Sequence, residues 1–516
     1  DVAYAQIPRL DRAERHARAA RWVDSLAGDR GADLAELRAH HYLSAIELFE
    51  AAGRDPSELV DATADALLAA AQQSQQLFAF AHAARYASRA LDLVGSADDR
   101  VPRLLFVLAV AQGNLAQADA FSETAAQAAA GFVAAGDRES AARVENLAAR
   151  ELWSFGRRDE AHAAADRALD LVRDLPVSRT TAAALDGRSR LLMLGARYDE
   201  AIALATSGLA AAREFGDLRS EASLLITLGT ARNQTGSRDL RELEAGAEIA
   251  DRLTLPLEYT RGHNNIAELL FEDGDIAGAA TQVGLALQNG ERLGVVSIVV
   301  WLLPQVAAVA YQRGDWTRAD ASLRRYRDLR ETTSANYTES QAEAVRGAIA
   351  VGRGEPDADA IWRHAVELGR EMKDPQARMP ALSGYARFLV ESGRHDEAAA
   401  LYDEILGLGD RYFGALLDLG WVMHGLDRAD ASWLDGRGGV WGRAGAHVAR
   451  GELAAAATVL DEAGFRTEAA YARLRAAERL SGADRAALLE PVLSFYREVS
   501  AAAYVLRAEA LLPASA

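Results

Sequence analysis

The chain has 516 residues, half of them apolar, with 57 Lys and Arg against 75 Asp and Glu for a net charge of −18, and no cysteine. That balance argues against nucleic acid as a partner, since phosphate binding needs a basic surface that releases counterions. The lack of Cys removes disulfides, thiolate metal sites and cysteine nucleophiles and fits a reducing, cytoplasmic setting.

Lys373 is the sole lysine, and its neighbours Met372 and Asp374 leave no Gly-Lys-Ser/Thr phosphate loop. Ala, Leu, Glu and Arg dominate while Pro numbers only 11, the composition of long helices. The expected fold is all-α, a right-handed α-solenoid of stacked helix-turn-helix units.

Residues 1–26 open with Asp1-Val2-Ala3-Tyr4, which carries neither an initiator Met nor a signal-peptide pattern, so the chain reads as part of something longer. After the Ile7-Pro8 break a helix places Leu10, Ala13, Ala17 and Ala20 on one face. Its arginines recur every third residue and wrap around the helix, which makes a solvated helix rather than a basic face. Residues 27–99 hold degenerate entry helices, split by the Gly53-Arg54-Asp55-Pro56 stop.

Residues 100–406 repeat. The turn Gly156-Arg157-Arg158-Asp159-Glu160-Ala161 returns as Gly393-Arg394-His395-Asp396-Glu397-Ala398, with variants from Gly113, Gly274, Gly314 and Gly451 and weaker copies near Gly195, Gly236 and Gly354. The spacing is about 40 residues, the signature of stacked units. Gly suits the positive φ that ends a helix, and Asp or Glu favours the positive start of the next. The Ala five residues after each Gly, and Ala149, Ala267, Ala307 and Ala386 seven before, are expected where helices approach closely. Val295 to Tyr311, the most apolar stretch, falls short of a bilayer span and reads as a buried helix.

Between Gly393 and Gly451 the period lengthens, marking 407–464 as an irregular repeat with a long loop at Gly436-Arg437-Gly438-Gly439-Val440-Trp441-Gly442. Trp421, Trp433 and Trp441 are expected to pack beneath it. The run follows no strand and has Trp441 where a dinucleotide loop needs its third Gly. Residues 465–516 read as capping helices over the last unit's apolar face.

The small-residue offsets around the turn resemble the tetratricopeptide repeat across roughly residues 75–480, with units longer than that family's 34. Asp1 to Arg9, His16, Ala20-Arg21-Trp22, His40-His41-Tyr42 and Phe495 to Leu511 resemble the repeat region of actinobacterial STAND-type ATPase regulators, and the Arg-for-Lys bias fits a high-GC source. That resemblance implies that residues 1–26 end a preceding ATPase module. It also implies upstream ATPase and cyclase-like or DNA-binding output domains, and an arm that binds an inducer, peptide or protein.

No catalytic, cofactor or metal motif stands out. The ten histidines are scattered, and the one adjacent pair, His40-His41, points its side chains about 100° apart on a helix, which suits one metal poorly. The richer positions lie thirteen, ten and six residues before each turn Gly. Arg143, Asn146 and Arg150 precede Gly156, and Arg261, Asn264 and Glu268, with Asn265 beside them, precede Gly274. Each trio shares one helical face and could hold a peptide backbone or carboxylate, or simply be a wet polar face.

The expected function is therefore a non-enzymatic sensor or interaction arm that takes a protein or peptide in its groove. One alternative is a receptor for a small-molecule inducer near Trp301 and Tyr311, and another is an enzyme with an unrecognised site. No cofactor, nucleic acid or membrane is expected as partner.

Overall fold

The structure is a computed structural model that describes residues 4, 6–27, 34–372, 375–408, 415–428, 434 and 439–512, with residues 375 and 376 as backbone only. Lys373, Trp433 and Gly436 to Gly438 lie outside the described residues, as do Asp1 to Ala3. Among the described residues there are 26 α-helices and no strand. The first helices of successive hairpins begin at Val101, Arg138, Arg179, Leu218, Pro256, Val296, Glu339 and Pro375, which keeps the period at about 40 residues. No helix among the described residues is long and apolar enough to cross a membrane.

The recurring turn works through backbone geometry. Gly156 takes φ +77°; its N–H donates to Trp153 O at 2.9 Å, and the Arg157 N–H donates to Leu152 O at 2.8 Å. This pairing returns the last carbonyls of the helix to partners, and only a residue without Cβ takes the left-handed conformation freely. Gly393 repeats it with φ +73°. Where an Arg follows the left-handed residue of the turn it forks onto the Glu three residues later: Arg157 to Glu160, Arg197 to Glu200 and Arg394 to Glu397.

Two copies of the turn are shifted from their glycines. Gly113 lies inside the helix Val101–Asn114, and the left-handed residue is Ala116, with φ +55°. Near Gly195 it is Ala196, with φ +57°. Alanine accepts that strain because the turn is set by where the helices pack. The close-contact position moves with it: Ala161, Ala201, Ala279, Ala319, Ala398 and Ala456 are fully buried, and Phe121 fills the equivalent place after Ala116.

Two compact units divide the chain: Asp1–Glu151, Ala163–Ala184 and Leu293–Ser297 form one, and Leu152–His162, Leu185–Arg292 and Ile298–Ala516 form the other. In the first, Ala17, Ala20, Ala39, Tyr42, Ile46 and Leu67 build an apolar core across three helices. Beside it Arg100 reaches Asp98 at 2.5 Å, Asp61 at 2.6 Å and Asp65 at 3.1 Å, and this guanidinium holds the Asp98 carboxyl down at about 2.

In the second unit the closing helices do more than cover the array's end. Trp316 Nε1 donates to Thr467 Oγ1 at 3.1 Å, and Trp441 Nε1 donates to Phe271 O at 3.2 Å while its ring stacks on Phe271. Tyr504 and Ala503 reach Gly352 and Gly354, and Phe495 reaches Gly314. The turn glycines leave room for these rings, so the late helices fill the inner side of earlier ones. Trp421 and Trp441 are buried here, and Gly439 to Gly442, expected in a loop, belong to the helix Gly439–Ala449.

Helices Leu416–Gly425 and Gly439–Ala449 meet backbone to backbone, since a Cβ at Gly445 would stand 2.5 Å from Leu416 O. Gly284 lies mid-helix with nothing within 4 Å. Gly445→Ala should therefore cost about 1–3 kcal/mol and Gly284→Ala add about 0.5–1 kcal/mol, read as opposite shifts of the urea midpoint.

Candidate functional site

The second unit holds a half-open cavity of about 190 Å³. Helix Val296–Gln312 contributes Tyr311 and Gln312, helix Glu339–Arg353 contributes Gln341 and Ala348, and helix Pro375–Glu391 contributes Gly384, Arg387 and Phe388. Asp418, Glu468 and Tyr504 arrive from the helices Leu416–Gly425, Arg466–Ala477 and Ala502–Glu509.

The polar part of the lining is a charge cluster around Arg387. Arg387 Nη1 donates to Asp418 Oδ1 at 2.9 Å and to Glu468 Oε1 and Oε2 at 3.1 and 3.0 Å, and its Nε donates to Glu391 Oε1 at 3.4 Å. The guanidinium also lies 4.4 Å from the Tyr471 ring centroid. Asp418 and Glu468 both stand in the first turn of their helices, where the partial positive charge favours a carboxylate. Burial nevertheless pushes the Glu468 carboxyl up, and Arg387 opposes this. In the lining three carboxyls face one guanidinium.

The lining is also aromatic, with Tyr311, Trp362, Phe388 and Tyr504, and Tyr311 and Tyr504 lie within electrostatic reach of the carboxylates. Burial raises the Tyr311 phenol well above its ordinary range. Trp362 Nε1 and Gln312 Oε1 are buried and find no hydrogen-bond partner among the described residues. A donor and an acceptor left open in a cavity wall are costly unless something fills the space.

The residues singled out from the sequence distribute differently. Arg143 is exposed and donates to Ser140 Oγ at 2.7 Å, Arg150 pairs with Glu151 at 2.7 Å, and Asn146 keeps a buried Oδ1 without a partner among the described residues. That trio lies in the first unit. In the second, Arg261 is not a wet-face residue. It is buried, donating to Ser223 Oγ at 2.6 Å and Thr227 Oγ1 at 2.9 Å, because Ser and Thr at the matching places of the preceding unit fit beneath it. Asn264 donates to Glu268 at 3.1 Å and Asn265 to Thr230 at 2.8 Å. Tyr311 lines the cavity, whereas Trp301 lies outside the lining with its Nε1 unpartnered among the described residues.

The spacing rule itself held the signal for the cavity. Counting the same thirteen and six residues back from Gly354 gives Gln341 and Ala348, and from Gly393 gives Pro380 and Arg387, all four of which line it. The aromatic and acidic partners from the last helices carry no such signal.

Two further carboxyls sit deep in this unit. Burial pushes Asp186 up to about 6, against the pull of Arg261 and of the 2.8 Å bond from Ser223. Burial and then Glu268 push Glu272 up to about 8. A group that holds its proton more tightly folded than unfolded stabilises the fold at low pH and loses that contribution as pH rises through its folded value. Melting temperature should therefore fall between about pH 4.5 and 8, and Glu272→Gln should flatten the upper part of that fall. Arg387→Met should cost about 3–5 kcal/mol by stranding its carboxylates, as read by denaturant unfolding.

No family model and no curated protein matches the chain. Among solved structures it is similar to a Rap protein complexed with competence and sporulation factor, at TM-score 0.51 and 11% identity over 67% of this chain and 97% of that one. A Rap conjugation gene regulator of a plasmid in complex with the Phr* peptide matches at TM-score 0.43 and 14% identity, covering 54% and 78%. The Cut9-Hcn1 hetero-tetramer of APC/C matches at TM-score 0.38 and 14% identity, covering 86% and 85%. The chain has the fold of the tetratricopeptide-like helical repeat proteins.

Proposed function

We propose that this chain is a non-enzymatic interaction arm whose second unit anchors a basic group of a protein or peptide partner in the cavity beside Arg387. The observation that carries the reading is a cavity whose lining brings carboxylates and aromatic rings together. Carboxylates in excess over guanidinium favour an incoming cation, and aromatic faces add attraction to it. At about 190 Å³ the space is below the roughly 300–1,000 Å³ of drug-sized pockets, a size suited to one side chain. The carboxylates are committed to Arg387, which argues for binding rather than turnover. The matched Rap protein was solved in complex with competence and sporulation factor, in accord with a ligand-taking role for this fold.

The exposed Arg143 and the nearby Asn146 extend the proposal to a longer contact surface on the first unit. The resemblance of the chain's ends to STAND-type regulators makes the arm, in this reading, the sensor of a cytoplasmic ATPase with its output domain, where a partner acts by favouring one arrangement over another. The second reading is a receptor for a small organic cation, favoured by the same volume.

The test is calorimetric titration with short peptides that differ only in Arg, Lys, Ala or Glu at one position, with agmatine alongside. Basic peptides should bind and raise the melting temperature. Ala308→Phe, which fills the cavity, should weaken them at least about tenfold, or about 1.4 kcal/mol. Binding of agmatine alone would select the small-molecule reading. If neither basic peptides nor agmatine bind, or if Ala308→Phe leaves affinity unchanged, the cavity is not the anchor.

A further inference from the structure

The first unit holds a cluster that the turn repeat does not explain. His16 on helix Arg9–Ala27 meets His40 and His41 on helix Ala35–Ala51, and one nitrogen from each lies within 4.8 Å of the others. His16 Nδ1 is 3.0 Å from His41 Nδ1, and the His16 and His41 ring centroids are 5.1 Å apart. His40 and His41 diverge along their helix, with rings tilted by 51°. What the adjacent pair lacks, a third imidazole closing the space between them, comes from the neighbouring helix.

We propose that His16, His40 and His41 form a binding site for a divalent transition-metal ion of the zinc class. Tetrahedral zinc with Zn–N bonds of about 2.0–2.1 Å sets its nitrogens about 3.4 Å apart, inside the range these atoms already span. Closing the triad needs only small rotations of the side chains. His40 is exposed and the other two are half-buried, so an ion can enter from solvent and a fourth position stays open to water.

The surroundings suit metal ligation. Tyr4 Oη lies 2.7 Å from His16 Nε2, so a neutral His16 with its proton on Nε2 donates to Tyr4 and turns its Nδ1 lone pair toward His41. An outer partner that fixes the tautomer in this way is the usual companion of a ligating imidazole. Arg12 brings its guanidinium to 5.0 Å from the Tyr4 ring centroid, close to the site. The guanidinium repels an ion as well as a proton, so the imidazoles have to outweigh it. An ion here would tie the first two helices of the unit together.

The experiment is titration of the tag-free chain with ZnCl2 by calorimetry, and with CoCl2 by visible absorption, after treatment with chelator. Wild type should take up one equivalent of zinc, show the intense visible bands of tetrahedral cobalt, and melt at a higher temperature with metal than without. The triple variant H16Q/H40Q/H41Q should lose uptake, and His40→Gln alone, at an exposed position, should weaken it with the fold intact by circular dichroism. Tyr4→Phe should weaken it about 10–100-fold, and His364→Ala, exposed in the other unit, should leave it unchanged. Absence of stoichiometric uptake by wild type overturns the proposal. So does uptake that persists in the triple variant, or uptake lost equally in His364→Ala.

Discussion

A guanidinium taken out of water cannot stand alone, and the Arg387 side chain is only 13% exposed within the second unit. Its charge is met by Glu391 on its own helix, Asp418 on the helix Leu416–Gly425, and Glu468, eighty-one residues after Arg387. Removing one partner of such a cluster is expensive, because the others are left desolvated and unpaired. The helices that carry the carboxylates are therefore bound to the helix that carries the Arg. Around that point Trp316, Thr467, Trp441 and Phe271 fasten the closing helices to helices about 150 residues earlier. The cavity is what remains between them.

A solenoid made only of neighbouring contacts needs no such tie, since each repeat rests on the next. Here the nearest-neighbour part is visible in the fully buried alanines five residues after the turn and in the paired Arg and Glu at the turn itself. The long-range part is laid over it with different residues, aromatic and ionic. Small residues bring helices close; large and charged ones decide which distant helices meet. The first unit uses the same logic on a shorter scale, where Arg100 gathers Asp61, Asp65 and Asp98.

The candidate site was legible in part. A spacing rule that names positions on the inner face points to Arg387 as directly as to Arg150 or Glu268, because all three stand six residues before a turn Gly. It says nothing of burial. Arg143 remains in solvent while Arg261 disappears under Ser223 and Thr227, a difference set by the residues of the adjoining repeat. The histidines show the same limit, since the angle between His40 and His41 is a property of one helix and the arrival of His16 is not.

The sequence by itself determined the all-helical class, the period of about 40 residues, the chemistry of most turns and the alanines at the helix contacts. Each of these rests on interactions between residues close in the chain, so local spacing encodes them. Only the tertiary structure decided that Ala116 and Ala196 take the left-handed turn, that Arg261 is buried, that three histidines converge, and that a cavity opens beside Arg387. These depend on which distant surfaces meet, and that choice belongs to the packing of the whole unit, where no short stretch of sequence carries it.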